Sequence, residues 1–157
     1  RAKMSVMLLV LNEKLRENIR ERMSGVYMIQ AMPRLEWLPY QHYTLSILMT
    51  CDPERVDELS AAIFATVDSV RTGQFEERYV SSAKAVMQKS HEEFISQNRY
   101  WLSNVVNDAL NDDELGSFLD NPSRYARIDK KAVTKAAKKY LSFDKDSLTV
   151  IMTPMEN

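Results

Sequence analysis

Glycine is scarce in this sequence, with three residues in 157. Loops that cradle phosphates, and the Gly-x-Ser-x-Gly turn of serine hydrolases, are built from closely spaced glycines. Gly25, Gly73 and Gly116 lie far apart along the chain. The sequence therefore excludes both kinds of site.

Cysteine and histidine are almost as rare. The single cysteine, Cys51, excludes an internal disulfide and a Cys/His zinc cluster. It sits in an alternating apolar run, where we expect a buried thiol that packs as a small hydrophobe. The two histidines, His42 and His91, match neither His-Glu-x-x-His nor its inverted form. We interpret each of them as a surface residue.

Long apolar runs and an excess of one charge are also absent. No run approaches the ~18 residues of a membrane-spanning helix. The stretch from Val6 to Leu11 resembles the apolar part of a signal peptide, but no small-residue cleavage site follows it. The formal net charge of −1 gives no electrostatic footprint for nucleic acid or an anionic membrane.

The N-terminal third predicts one helix and two strands. Apolar residues three and four apart predict a helix over about Met4 to Met23, which a glycine cap at Gly25 ends. Val26 to Met32 is predicted as a strand that Pro33 breaks, with Tyr27, Ile29 and Ala31 on one face. Alternation of apolar and polar residues predicts a strand from Tyr43 to Cys51, antiparallel to the first. Leu48 interrupts its polar face, which suggests that this face is partly covered.

Helices dominate the remainder. Asp52-Pro53 has the residues of a helix start, and Gly73 those of a helix end. The predicted elements are a helix up to Gly73, a helix from about Glu76 to Ser96, a short helix from Tyr100 to Leu110, a weak helix from Leu115 to Leu119, a turn at Asn121-Pro122, a helix capped by Asp129, and a strand from Leu148 to Thr153.

This order, α-β-β-α-α-α-α-β, predicts an α+β fold in a single domain, residues 1–157. Three strands are few for a sheet that carries so many helices. We therefore expect the leading strand or strands of the sheet to precede Arg1.

The end of the first helix carries the one cluster that suggests chemistry. Arg16 and Arg20 are four residues apart, and Tyr27 follows at the start of a strand. A guanidinium fork and a phenol at such a junction can hold a peptide carbonyl and stabilise an oxyanion. The alternative is that these charges form the solvated face of an amphipathic helix.

The stretch from Leu15 to Tyr27 resembles the C-terminal signature of pitrilysin-type (M16) zinc peptidases, in which a tyrosine follows a helical arginine by seven residues, as Tyr27 follows Arg20. Three further segments agree with that family in order: Cys51 to Leu59, Asn98 to Leu102, and Ala136 to Leu141. The resemblance implies an M16 peptidase-like two-layer sandwich, with an antiparallel sheet packed on helices. It identifies this chain as a partial C-terminal domain, nearest to periplasmic bacterial proteases.

The resemblance also implies a function. Arg20 and Tyr27 would stabilise the substrate carbonyl and oxyanion, while Arg16, Val26 and Met28 would bind substrate. The zinc would lie in a different half of the enzyme, on a His-x-x-Glu-His motif, so the chain itself would bind no metal and be inactive alone. The alternative function is that of a non-catalytic M16-like subunit that acts by binding.

The partners implied are a peptide or unfolded polypeptide substrate and the zinc-bearing N-terminal domains of the same protein, in the periplasm. Nucleic acid is not expected as a partner, and neither is a membrane span. Because the sheet is expected to lack strands, its open edges and exposed apolar surface also predict a homodimer.

Overall fold

A computed structural model describes residues 2–24, 26–36, 39–40, 42–142 and 147–152. A long first helix, α1, runs directly into a π-helical stretch, Arg16–Arg22, here named the π segment. The elements are α1 (Ala2–Leu15), β1 (Val26–Glu36), β2 (His42–Cys51), α2 (Val56–Thr72), α3 (Glu77–Phe94), α4 (Asn98–Leu110), α5 (Asn121–Ala126) and α6 (Lys130–Tyr140), with short 3₁₀ turns at Pro53–Arg55 and Ser117–Asp120.

Helix α1 is the centre of the core. It contacts β1, α2, α3, α5 and α6. The apolar spacing of three and four predicted one buried face, but residues on most sides of the helix are buried. They are Met4, Val6, Met7, Leu8, Val10, Leu11 and Leu15. A helix that is apolar on most sides is one that other elements surround. The chain thus folds around its own N-terminal helix.

Strands β1 and β2 pair antiparallel, as predicted, with Ala31 opposite Ile47, and they are the two strands of the described sheet, where three were predicted. One face packs on the helical core through Ile29, Leu45, Ile47 and Met49. Since the helices lie on that side, the described chain has the predicted two layers, an antiparallel sheet on helices. Its other face is open within the described residues: Leu48 is 43% exposed, so the expected cover over that face is not found.

Strand β1 is longer than predicted because Pro33 does not break it. The strand continues through Pro33, opposite Leu45, and ends at Glu36. Proline has no N–H to give to a ladder, so it is tolerated where the backbone faces an open edge. In a two-stranded sheet, β1 is such an edge strand.

The C-terminal predictions are less accurate. Residues 148–152 form no strand: no described segment pairs with them, and Leu148, Val150 and Met152 are exposed. An alternating pattern gives strand potential, but a strand forms only beside a neighbour. Thr153 lies outside the described residues.

The turn predicted at Asn121-Pro122 is wrong, because α5 begins there. Proline is acceptable in the first turn of a helix, where its missing N–H has no helical partner. The weak helix predicted from Leu115 to Leu119 is a 3₁₀ turn from Ser117 to Asp120.

The helix ends are set largely by the residues predicted to set them. The Asp52 side chain accepts from the Glu54 N–H at 3.0 Å, and Asp129 accepts from the Ala132 N–H at 2.7 Å. Gly73 ends α2 with φ +75°, a left-handed conformation that favours glycine. Gly25, the predicted cap of the first helix, lies outside the described residues.

Candidate functional site

Arg20 lies in the middle of the π segment, and the residues before it fix its position. Ile19 is fully buried in the core. Asn18 donates to the Thr66 hydroxyl of α2 at 3.2 Å. Arg20 itself is exposed, and within the described chain no hydrogen bond or ion pair occupies its guanidinium. The side chain is therefore available to a ligand. π-Helical stretches are rare and often occur at functional sites.

Glu17 attaches the π segment to α3. Its carboxylate accepts a hydrogen bond from the hydroxyl of buried Tyr79 and pairs with Arg22 at 2.6 Å. Arg78 donates to the Tyr79 hydroxyl at 2.9 Å and approaches Glu17 at 3.6 Å.

The pKa values of Glu17 and Tyr79 favour the hydrogen bond between them. The Tyr79 hydrogen bond, followed by the charges of Arg22, Lys14 and Arg78, lowers the pKa of Glu17 below its usual value. Burial and the adjacent Glu17 carboxylate raise the pKa of Tyr79 to about 12. At neutral pH the contact therefore joins an ionised carboxylate to a neutral phenol.

Arg55 holds the connection from the π segment to β1. Its Nη1 donates to the main-chain oxygens of Met23 and Ser24, at 3.2 and 2.9 Å. Its Nε and Nη2 bind both carboxylate oxygens of Glu58, at 3.0 and 3.1 Å. Ser24 has φ +53°, an unusual conformation for a residue other than glycine. A residue with such an unfavourable backbone conformation persists only where surrounding contacts hold it, as the Arg55 hydrogen bond does for Ser24.

Tyr27 occupies an irregularity at the start of β1. Val26 lies opposite Cys51 and Met28 opposite Thr50, so Tyr27 is the extra residue of a β-bulge. The prediction that Tyr27 shares a face with Ile29 and Ala31 is therefore wrong, since a bulge interrupts the alternation of side chains. Tyr27 is 86% exposed, and no described group bonds its hydroxyl.

The three predicted substrate-binding residues differ in accessibility. Arg16 already pairs with Glu13 at 2.6 Å and approaches Glu21 at 3.7 Å. The Val26 side chain is buried in the core, so only its main chain can meet a ligand. The Met28 side chain is 42% exposed.

The outer edge of β1 is partly closed by a side chain. Asn12 of α1 donates to the Ala31 oxygen at 2.9 Å and accepts from the Ala31 N–H at 2.7 Å. Ala31 therefore directs its main chain away from β2, as Ile29 and Pro33 then also do, because antiparallel strands alternate. Asn12 occupies one of these positions, and Pro33 has no N–H to offer. An added strand is left with the edge on the Val26 side of Ala31.

The two histidines differ from one another. His42 pairs with Glu36 and lies 3.1 Å from the Tyr40 oxygen at the surface. His91 is buried and bonds the Tyr100 hydroxyl at 3.0 Å, so its interpretation as a surface residue is wrong. The helix face that carries His91 is covered by the start of α4, which the sequence pattern did not indicate. Cys51 is half-buried against the core, close to expectation.

No group of three or more His, Cys, Asp or Glu side chains in the described residues is arranged to hold a metal ion. No described helix is long and apolar enough to cross a membrane. The exposed groups of the junction are a cationic fork at Arg20 and a phenol at Tyr27, and both can form hydrogen bonds with a ligand.

Three residues of this site were missed by the sequence reasoning. Glu17 and Tyr79 are separated by 62 positions, and Arg55 lies 31 positions after Ser24. Side-chain contacts across such separations leave no periodic signal. The charge run around Arg20 did contain Glu17, but nothing in the run distinguished it from its solvated neighbours.

A family model described as the peptidase M16 inactive domain matches residues 1–87. That match contains α1, the π segment, both strands, α2 and the start of α3. No curated protein sequence matches the chain.

Solved structures share the fold. The periplasmic protease PqqL from Escherichia coli matches with a TM-score of 0.74 and 22% identity, over 90% of this chain and 16% of its own. A conserved protein from Enterococcus faecalis V583 matches with a TM-score of 0.75 and 14% identity, over 88% and 32%. A protease from Helicobacter pylori matches with a TM-score of 0.70 and 14% identity, over 89% and 35%. The chain thus spans about a sixth to a third of these proteins.

Proposed function

The chain belongs to the family of M16 peptidase inactive domains, and from that premise we propose that it is the substrate-binding part of a zinc-dependent endopeptidase. In this proposal Arg20 and Tyr27 contact the scissile peptide, and the zinc is held outside this chain. The observation that carries the proposal is the exposed pair itself, on a π-helical turn and a β-bulge, at the seven-residue spacing of the family signature.

The chemistry of the two groups suits a peptide carbonyl. The Arg20 guanidinium keeps its charge at any working pH and can donate two parallel hydrogen bonds. The Tyr27 phenol can donate a further one. When water adds to the carbonyl carbon, the oxygen gains negative charge, and donors already in place stabilise it more than they stabilise the substrate.

Zinc does not fit the described residues of this chain, since they bring together no three His, Cys, Asp or Glu side chains that could hold the ion. The proposal accordingly assigns no step to the metal here. We expect the purified chain to show no chelator-sensitive peptide cleavage. Such cleavage by the chain alone would contradict the proposal that the zinc is held outside this chain.

The test of the two roles uses the full-length gene product and a fluorogenic peptide. Arg20→Ala and Tyr27→Phe should each lower kcat/KM about a hundredfold, the usual effect of removing one oxyanion donor. Arg127→Ala and Tyr40→Phe alter exposed residues outside the site and should leave kcat/KM unchanged. Wild-type kcat/KM in both site variants would refute the assignment.

The open part of the β1 edge offers a second contact with substrate. We propose that a peptide adds to β1 as an extra strand, through main-chain pairing on the Val26 side of Ala31. Met28, 42% exposed, is the side chain available beside it. Because Asn12 and Pro33 close the rest of the edge, the paired stretch should be short.

A non-catalytic role is the second candidate, and the family's description as an inactive domain favours it. A subunit of this kind would bind polypeptides without cleaving them. The two candidates separate in one measurement: a full-length protein that binds peptide but never cleaves it, with or without added zinc, is a scaffold. Saturable, chelator-sensitive cleavage identifies the peptidase.

The proposed setting is the periplasm, which is where PqqL acts according to its description. The proposed partners are a peptide or unfolded polypeptide and the zinc-bearing domains of the same protein. Cell fractionation followed by immunodetection tests the location, and recovery of the protein with the cytoplasm would contradict it.

A further inference from the structure

The segment that carries Arg20 has a fixed point on each side. On the N-terminal side, Glu17 bonds Tyr79 of α3. On the C-terminal side, Arg55 bonds the main-chain oxygens of Met23 and Ser24. Between these points Arg20, Glu21 and Arg22 are exposed, and Arg20 is the first of them after the buried Ile19. Both contacts join the segment to helices or turns beyond the sheet, so they tie it to the body of the domain.

We propose that Arg55 and the Glu17–Tyr79 pair are positioning residues, which set the placement of the Arg20 guanidinium and the Tyr27 phenol without touching substrate. This inference rests on the proposed function, in which those two groups contact the peptide.

The need for such support follows from the backbone. A π-helical turn is rare, and the left-handed Ser24 is unfavourable for a residue with a side chain. The last oxygens of a helix have no partner within it and carry partial negative charge. Arg55 supplies a cation to the oxygen of the capping residue Met23 and to the next oxygen, that of Ser24. Its bidentate pair with Glu58 orients the guanidinium for that contact.

The placement of Tyr27 depends on the same contact. Arg55 fixes the chain at Ser24, three residues before the bulge. If that contact is lost, the chain can leave the π segment at another angle, and Tyr27 moves relative to Arg20. A misplacement of about 1 Å at a catalytic constellation can cost on the order of a hundredfold in rate.

The experiment is a double-mutant cycle on the full-length gene product, with kcat and KM measured separately. Arg55→Gln should lower kcat/KM about ten- to a hundredfold, mainly through kcat. The same substitution in an Arg20→Ala background should cost little more, because the group that Arg55 positions is then gone. Arg55→Lys keeps the cation but not the fork, and should recover part of the activity.

Two further variants complete the design. Tyr79→Phe removes the hydroxyl that bonds Glu17, and we expect the same dependence on Arg20. Arg71→Gln is the matched control, because Arg71 pairs with Asp68 three residues away on the same helix, at 3.6 Å. It should leave kcat/KM unchanged.

The outcomes separate the possible roles. If Arg55→Gln lowers activity by the same factor with and without Arg20, Arg55 has a general structural role and the inference fails. Wild-type activity in both Arg55→Gln and Tyr79→Phe also overturns it, while the proposed function stands. If Arg20→Ala itself leaves kcat/KM unchanged, the proposed function fails and the inference fails with it. If Arg55→Gln does not fold, Arg55→Lys and Tyr79→Phe can each be combined with Arg20→Ala in the same double-mutant cycle.

Discussion

At the scale of single residues, the site depends on polar side chains that are paired and on two that are not. Glu17, Asn18 and Arg55 all have partners on other elements. Arg20 and Tyr27 have none among the described residues. A surface arginine without a partner keeps its hydrogen-bonding capacity for a ligand. The contrast with Arg16, which two carboxylates already engage, suggests that Arg16 contributes less to substrate binding.

The Glu17 contact makes stability depend on pH in a direction that can be derived. The folded protein lowers the pKa of Glu17 below its ordinary value of 4.5, chiefly through the hydrogen bond from Tyr79. The stabilisation is therefore fully present above that value and is lost as the pH falls through the lower folded pKa. Glu17→Gln should be less stable than wild type at pH 7, and the difference should shrink below pH 4.5.

Urea denaturation at a series of pH values measures this effect. Glu13→Gln serves as the control, since Glu13 pairs with Arg16 at the surface and no buried hydroxyl contacts it. A stability difference for Glu17→Gln that does not change with pH would contradict the assignment.

Asn12 provides a second prediction at this scale. Asn12→Ala removes both partners of the Ala31 main chain and should destabilise the protein by about 1–3 kcal/mol, because part-buried donor and acceptor groups lose their bonds. The variant should also bind thioflavin or self-associate more readily, since the edge of β1 becomes open. Stability and edge behaviour identical to wild type would show that water replaces the amide at no cost.

At the scale of elements, the ends and irregularities of helices and strands show which features could be predicted from the sequence and which could not. Asp52, Gly73 and Asp129 were predictable because their roles are local: a cap or a left-handed turn involves residues a few positions apart. The π segment and the bulge at Tyr27 were not predictable, because each depends on contacts made by distant elements. Pro33 shows the same limit, since its tolerance in β1 depends on which edge of the strand it faces.

The two described left-handed glycines give a prediction for the elements. Gly73 has φ +75°, and an added Cβ would lie 3.1 Å from Thr134 Oγ1 of α6. Gly116 has φ +86°, and an added Cβ would meet only Leu119 Cδ1 at 3.8 Å. Gly116→Ala should cost about 1–2 kcal/mol from the backbone alone. Gly73→Ala should cost more, because α2 and α6 must also separate slightly.

Thermal or urea unfolding of the two variants measures the difference directly. Adding Thr134→Ala to Gly73→Ala removes the Thr134 hydroxyl, whose oxygen lies 3.1 Å from the added Cβ, and should recover part of the loss. An equal loss of unfolding free energy in Gly73→Ala and Gly116→Ala would mean that α6 can move away from residue 73 at no cost.

At the scale of the whole molecule, the chain has a dense helical core and a large amount of exposed apolar surface. The family was recognisable from the sequence because short segments resemble it in the right order along the chain. The first two of these segments, together with α1 and the strand pair, lie in the 87 residues that the family model matches. The C-terminal part was predicted less well. Leu148 to Met152 has the composition of a strand, but whether it pairs depends on which neighbours are present.

The exposed apolar residues predict self-association of the chain. On and after α4, Leu102 is 68% exposed, Leu110 72% and Leu115 66%. Apolar surface of this kind favours contact between copies. We expect the purified chain to form dimers or larger species, and Leu102→Gln with Leu110→Gln should shift it toward monomer.

Sedimentation equilibrium over a range of concentrations checks this expectation. Arg99→Gln, at an exposed polar position on the same helix, is the control and should leave association unchanged. A monomer at every concentration would rule out the predicted homodimer.

The bond between Asn12 and Ala31 has a consequence for the architecture of any larger sheet. One side of β1 is interrupted by an amide at Ala31 and lacks a donor at Pro33, whereas no described side chain bonds the outer side of β2. A third strand of full length can therefore be accommodated only next to β2. The two edges of the sheet therefore differ: the β2 edge can pair with a full-length strand, whereas the β1 edge can pair only with a short segment.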